Sequence, residues 1–149
     1  MAELVDPDWA EGMDDSLALA VFRAETVGRE LRTVNGLEAA ATQLIERIDH
    51  LGCHRVVAAS REAEPLATAA ALLSQGRIQM QASGEGADKV IVIDAATVTG
   101  NATRSAAERL REEGVSWVGA LVYNRIRPDL DELDDDPLLD QVTSLSGTR

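Results

Sequence analysis

The chain has 149 residues, a formal net charge of −12, 45% hydrophobic residues and 3% aromatic residues. This length and composition suit one globular domain with a core. The negative charge and the scarcity of aromatic residues exclude nucleic-acid binding from the expected functions. No apolar run is long enough to span a bilayer and the first residues lack a basic signal start, so we expect a cytoplasmic protein without membrane contact.

The charge is concentrated at the two ends of the chain. Residues 1–16 hold six acidic and no basic residues, residues 127–149 hold seven acidic residues and two arginines, and residues 17–126 carry a net charge of −1. We therefore expect a single domain over residues 1–149 with acidic peripheral segments at 1–15 and 125–149. Within the second segment, Asp129–Asp136 is expected to be solvated and mobile.

Hydrophobic spacing and turn residues predict alternating helices and strands. In chain order they are helix Leu17–Leu31, helix Leu37–Leu51 after a break at Thr33–Gly36, strand Arg55–Ala59, helix Leu66–Ser74, strand Arg77–Gln81, strand Val90–Asp94, helix Ala106–Glu113, strand Trp117–Tyr123 and a short edge strand Val142–Leu145. This alternation predicts an α/β fold, with a doubly wound, mainly parallel sheet flanked by helices on both faces.

The stretch from Asp94 to Thr103 is the main candidate site. A strand ending on an acid, a loop rich in Thr and Gly, and a helix point backbone N–H groups and the positive helix end at one spot, which suits a phosphate. The candidate phosphate-binding residues are Thr97, Thr99, Gly100, Asn101, Ala102 and Thr103. The alternative is an ordinary strand-to-helix turn, in which Thr103 or Ser105 caps the helix.

A second cluster lies at a predicted helix end, where His50, Cys53 and His54 follow one another closely. Their spacing could offer metal ligands, but no fourth ligand is evident. A helix C-terminus with histidines placed favourably against the helix dipole is the preferred interpretation, and we assign no metal-binding residue. The single cysteine excludes an internal disulfide framework.

The sequence VIVIDAATVTGNAT, residues 90–103, resembles the PRPP-binding signature of the type I phosphoribosyltransferases. In that signature four apolar residues precede two acids, a few small residues, a Thr-Gly pair and a further Thr or Ser. Asp94 matches the first acid and is the candidate catalytic residue, while Thr99 and Gly100 match the Thr-Gly pair. The upstream segment LIERIDHLGCHRVVAASREAEPLATAAALLSQG is similar in layout to the family's pyrophosphate-binding region, with Arg61 as the candidate pyrophosphate ligand.

The resemblance implies a concrete reaction, in which PRPP carrying Mg²⁺ lies across residues 94–103 and phosphoribose passes to a nucleobase as pyrophosphate leaves. The partner is thus a small phosphoribosyl or nucleotide ligand, and a homodimer is left open. The sequence departs from the signature at four places. Ala95 replaces the second acid, Ala102 replaces a hydroxyl residue, Glu62 and Glu64 lie in the pyrophosphate region, and the lid candidate Gln79–Asp88 is short. These departures point to weakened or absent catalysis.

Three hypotheses follow from these observations. The chain is an active phosphoribosyltransferase, a catalytically inactive regulatory module that binds PRPP or a nucleotide 5′-phosphate, or a structural subunit whose site has decayed. Binding of PRPP separates the first two from the third, and release of pyrophosphate separates the first from the second.

Overall fold

The structure, a computed structural model, describes residues 15–147. The predicted acidic lead-in 1–15 lies outside this range except for its last residue. The described helices are α1 (Asp15–Glu30), α2 (Val34–Leu51), α3 (Glu64–Leu73), α4 (Asn101–Glu112) and α5 (Pro128–Asp131), with 3₁₀ turns at Arg61–Ala63 and Leu133–Asp135. The strands are β1 (Arg55–Ala58), β2 (Gln79–Met80), β3 (Lys89–Thr97), β4 (Trp117–Arg125) and β5 (Gln141–Gly147).

All neighbouring strands pair in parallel in the order β2-β1-β3-β4-β5. The connection from β1 to β2 runs through α3, and the connection from β3 to β4 runs through α4. The predicted doubly wound parallel sheet is confirmed. No helix within residues 15–147 is both long and apolar enough to cross a bilayer.

Alternate residues of β3 face two separate apolar layers, because side chains in a strand point to opposite faces in turn. Ile91 and Ile93 pack against the layer that holds α1, α2 and α3. Val90 and Val92 pack against α4 on the opposite face. The central strand is therefore buried on both faces, which explains why it reads as one continuous apolar run.

Helix α2 begins earlier than its apolar spacing predicted. The Thr33 side chain accepts a hydrogen bond from the Gly36 N–H at 3.0 Å and caps the helix at its first turn. The predicted break at Thr33–Gly36 is thus the start of the helix. Its end agrees with the prediction, since Gly52 adopts the left-handed conformation and its N–H donates to the Ile48 carbonyl oxygen.

The segment around Asp94 differs from the prediction at both boundaries. Strand β3 continues for three residues past Asp94, and α4 begins at Asn101 rather than at Ala106. The long loop predicted between Asp94 and Ala106 is thus a three-residue connection, Val98–Gly100. Neither Thr103 nor Ser105 caps the helix, because Gly100 occupies the N-cap position.

The C-terminal segment is folded onto the body through two buried residues, while Asp129, Glu132, Asp134 and Asp135 are exposed, as the solvated segment predicted for Asp129–Asp136 requires. Asp131 and Leu133 are fully buried, and the Asp131 carboxylate bonds the Arg125 guanidinium at 2.5 and 2.9 Å. This hydrogen-bonded pairing raises the pKa of Arg125 above its already high value. Because a buried charge is costly unless it is paired, this ion pair fixes the segment to the end of β4.

The arginines of α4 also bind the C-terminal segment. Arg104 Nε donates to Asp136 Oδ2 at 2.8 Å, and Arg111 donates to the Leu138 carbonyl oxygen and to Asp140 Oδ2 at 2.9 and 2.7 Å. Both arginines therefore pair with the C-terminal segment and hold it against α4.

Replacing Asp131 with Asn should destabilise the protein by about 3 kcal/mol, because it leaves the Arg125 charge without its buried partner. The free energy of unfolding from urea titration measures the effect. Asp129→Asn is the matched control, since Asp129 pairs with Arg127 at the surface and its side chain is 62% exposed. Equal stability of the two variants would contradict the role assigned to the buried pair.

Candidate functional site

The strand order defines where a ligand is expected to bind. In a doubly wound sheet the crevice opens at the carboxyl ends of two adjacent strands whose connections run to opposite faces. Here those strands are β1 and β3. Ser60 follows β1 by two residues, and Asp94 to Thr97 form the end of β3.

A cleft of about 580 Å³ lies at this point, between α1 and the end of β3. From the β3–α4 region the residues that line it are Asp94, Ala95, Ala96, Thr97, Val98, Thr99, Asn101 and Ala102. The structure thus brings five of the predicted site residues, Asp94, Thr97, Thr99, Asn101 and Ala102, into one cleft. Gly100 and Thr103 lie behind it.

Asp94 is 3% exposed, and its carboxylate accepts three hydrogen bonds. Oδ1 accepts from Ser60 Oγ at 3.3 Å and from the Ala95 N–H at 2.9 Å, and Oδ2 accepts from Thr103 Oγ1 at 2.9 Å. Burial raises the pKa of Asp94 above its usual value, against these hydrogen bonds, which lower it. A carboxylate has about four acceptor positions, so one position on Oδ2 remains for a ligand hydroxyl.

The hydroxyl groups of the loop are largely engaged within the protein. The fully buried Thr103 hydroxyl donates to Asp94, which corrects the expectation that it donates to a phosphate. Thr97 Oγ1 accepts from the Gly100 N–H at 2.8 Å, and Thr99 Oγ1 accepts from the Asn101 N–H at 3.4 Å. The backbone N–H groups of Gly100 and Asn101, which were expected to bind the phosphate, therefore already have acceptors within the protein.

The amides of Ala102 and Thr103 belong to the first turn of α4 and have no acceptor among the hydrogen bonds within residues 15–147. A helix leaves its first N–H groups without an intrahelical partner, and its positive end favours an anion. Ala102 lines the cleft directly. An anion at this end of the cleft would therefore lie beside the start of α4, close to the Ala102 N–H and to the exposed Thr99 side chain.

Gly100 has φ +78°, a left-handed conformation that glycine adopts without strain. Another part of the protein also approaches this residue closely. A Cβ at this position would lie 2.9 Å from the Asp131 carbonyl oxygen and 2.9 Å from Leu133 Cδ2. Glycine is needed here because the C-terminal segment packs against the loop.

Arg61 lies beside the main cleft rather than in it. It lines a smaller adjoining pocket of about 140 Å³ together with Arg32, which lies in the turn after α1. Glu62 lines both pockets and so connects them. Arg32 and Arg61 form no ion pair with any residue from 15 to 147.

Helix α1 forms a wall of the cleft that sequence reasoning missed. Its lining residues are Val21, Ala24, Glu25, Gly28 and Arg29, and Arg32 in the turn after the helix also lines the cleft. Their spacing of three and four residues places them on one helical face, which was the only signal in the sequence. Such spacing is typical of a helix face that packs against the core, and nothing local in the sequence indicated that the charged residues of this face would line a cleft.

The lid candidate is held at the opposite end of the sheet. The Gly84 N–H donates to Glu113 Oε1 at 2.7 Å, just beyond the end of α4. Gly84 is also enclosed by Leu110 and Val115. In this arrangement residues 81–88 do not cover the cleft.

Possible metal ligands do not converge in the described part of the chain, where no group of three or more His, Cys, Asp or Glu side chains could hold an ion. In the helix-end cluster, His54 Nε2 lies 3.0 Å from Asp49 Oδ1, and Cys53 is buried. The Arg77 guanidinium, followed by His54, lowers the pKa of Asp49. His54 and Cys53 therefore have structural roles, His54 through its contact with Asp49 and Cys53 through its burial.

Comparison with known structures identifies the fold. An adenine phosphoribosyltransferase of Giardia lamblia complexed with 9-deazaadenine superposes with a TM-score of 0.62 and 14% identity, over 80% of this chain and 83% of that chain. A phosphoribosyltransferase of Corynebacterium diphtheriae superposes with a TM-score of 0.62 and 22% identity, over 89% and 97%. The chain has the type I phosphoribosyltransferase fold. No protein-family profile matches the sequence, and no curated protein matches it in a sequence search.

Replacing Asp94 with Asn should change how stability depends on pH. Because the folded-state pKa is raised, the native protein binds more protons than the unfolded chain between pH 3.8 and that raised pKa. The wild type therefore loses stability relative to Asp94→Asn as the pH rises through this window. Urea unfolding of both proteins at several pH values measures the difference, and a constant difference would contradict the assignment.

Gly100→Ala should be more destabilising than the matched change Gly52→Ala. Gly52 has φ +74° but nothing within 4 Å of an added Cβ, so Gly52→Ala costs only the left-handed strain of about 1 kcal/mol. Gly100→Ala adds the contacts with Asp131 and Leu133, for a total of about 3 kcal/mol. Urea unfolding measures both variants, and equal losses would mean that the C-terminal segment does not press on Gly100.

Proposed function

We propose that this protein binds PRPP or a nucleotide 5′-phosphate in the cleft between α1 and the β3–α4 connection. The observation that carries the proposal is the pair of unpartnered amides, Ala102 and Thr103, at the start of a helix that borders the cleft at the switch point of the sheet. Backbone amides at a helix start are a recurrent phosphate site. The fold supports the proposal, because the structures that share it are phosphoribosyltransferases.

The diphosphate of PRPP would extend toward the adjoining pocket. Arg32 and Arg61 both line that pocket, and neither forms an ion pair within residues 15–147. Two guanidinium groups supply several N–H donors, which match phosphate oxygens well. Arg32 is thus added to the predicted Arg61 as a residue that would bind pyrophosphate.

The carboxylates of the cleft fit Mg²⁺ only as a companion of a bound diphosphate. Three acceptor positions of Asp94 are already used, and within residues 15–147 no set of three ligands converges. Glu62 lines both pockets and would repel a bare diphosphate. A divalent ion carried by PRPP, which prefers oxygen ligands, would remove that repulsion.

Transfer of phosphoribose to a nucleobase, with release of pyrophosphate, is the further reaction that the site would perform if it is active. The alternative is a catalytically inactive binding module, and two observations favour it. Ala95 is 2% exposed and offers no second carboxylate, and the segment available as a lid is fixed through Gly84. Without a cover, the reacting centre would stay in contact with water.

A homodimer and a cytoplasmic location remain predictions from the sequence. Neither enters the binding test below.

Arg61→Gln should weaken PRPP binding by about tenfold, which is the size of one lost charge-assisted hydrogen bond. It should leave the binding of ribose 5-phosphate unchanged, because that ligand has no diphosphate. Isothermal titration calorimetry in Mg²⁺ buffer measures both constants. Arg47→Gln, an exposed arginine on α2 outside both pockets, is the matched control.

Failure of the wild type to bind PRPP at millimolar concentration would overturn the proposed function. A pyrophosphate-release assay with purine and pyrimidine bases then decides between enzyme and binding module. Release with any base supports transfer, and tight PRPP binding without release supports the inactive module.

A further inference from the structure

Arg104 lies in the first turn of α4, and its guanidinium contacts three different groups. Nε donates to Asp136 Oδ2 at 2.8 Å, Nη1 to Asn101 Oδ1 at 3.1 Å and Nη2 to the Asp131 carbonyl oxygen at 2.5 Å. It therefore joins the cleft-lining residue Asn101 to the folded C-terminal segment. Its own side chain does not line the cleft.

The contact with Asn101 determines which end of that amide is available. A guanidinium group only donates hydrogen bonds, so it selects the carbonyl oxygen of the Asn side chain. The remaining –NH₂ group is the part of Asn101 that can donate to a ligand. Asn101 lines the cleft next to Ala102, whose backbone N–H lacks a protein acceptor within residues 15–147.

We propose that Arg104 is a positioning residue, which fixes the Asn101 amide so that its –NH₂ group donates to the anion bound at the β3–α4 connection. This inference rests on the proposed function and extends it to a side-chain donor and to the residue that orients it. Without Arg104, the Asn101 amide is free to rotate and to present its oxygen, which repels an anion. Asp136, with a side chain only 6% exposed, fixes the other end of the guanidinium.

A double-mutant cycle with ribose 5-phosphate tests the inference. Arg104→Gln should weaken binding by about tenfold, and Asn101→Ala should do the same, because each removes one oriented donor. In the Asn101→Ala background, Arg104→Gln should have no further effect on the dissociation constant. Arg104→Lys, which keeps the charge and one donor, should bind with intermediate affinity.

Arg109→Gln is the control on the same helix, since Arg109 is exposed and lines neither pocket. It should bind ribose 5-phosphate as the wild type does. The melting temperature of every variant is measured, and calorimetry is carried out well below the lowest of these temperatures. Together the two measurements separate a structural role of Arg104 from a positioning role. A purely structural role would lower the melting temperature of Arg104→Gln and leave its affinity intact, which would overturn the inference.

Additive effects of the two substitutions would also overturn it, because Arg104 would then not act through Asn101. If Arg104→Gln does not fold, the side-chain amide signal of Asn101 in ¹H–¹⁵N spectra, assigned by its absence in Asn101→Ala, decides instead. The signal should shift when ribose 5-phosphate is added, and an unmoved signal contradicts the inference. Absence of ribose 5-phosphate and PRPP binding in the wild type overturns the proposed function itself, and this inference with it.

Discussion

The buried carboxylate of Asp94 is the interaction on which the cleft depends. It accepts hydrogen bonds from Ser60 after β1, from the β3 backbone and from Thr103 on α4, and so joins three elements at one point. A carboxylate that is 3% exposed needs these donors to offset its loss of water. The same bonds set the distance between the two central strands and the first turn of α4, where the open amides lie. The geometry of the proposed anion site therefore follows from the way one acid is buried.

The acidic C-terminal segment forms a second layer behind that site. Three arginines of the body pair with four of its acids: Arg104 with Asp136, Arg111 with Asp140, and Arg125 with both Asp131 and Asp134. This explains how a body of nearly neutral net charge accepts a tail of net charge −5. Two of these arginines, Arg104 and Arg111, lie on α4, so this helix is fixed to the tail. Because the Asp131 backbone also lies against Gly100, this folded segment supports the β3–α4 connection from behind.

Much of the fold could be predicted from the sequence, because apolar spacing and glycine positions report local structure directly. The order of the elements and the parallel sheet are confirmed, and so is the end of α2 at Gly52. The boundaries around Asp94 were wrong because the residues Ala95 to Thr97 are small, and small residues suggested a loop. They belong to β3 because β4 pairs with them, at Ala96 and Thr97. The wall formed by α1 and the burial of Asp131 depend on tertiary packing, which no local pattern encodes.

The charges around the cleft limit how strongly it can attract an anion. Arg29, Arg32 and Arg61 are balanced by Glu25, Glu62 and Asp94, so the two pockets together have no excess of positive charge. Long-range attraction of a phosphate is therefore weak, and the whole chain, at −12, opposes it. Affinity must come from fixed short-range donors, which retain their strength in salt better than an exposed charged surface does. The site thus depends on the exact placement of a few N–H groups, and the residues that hold the β3–α4 connection in place matter as much as those that would touch the ligand.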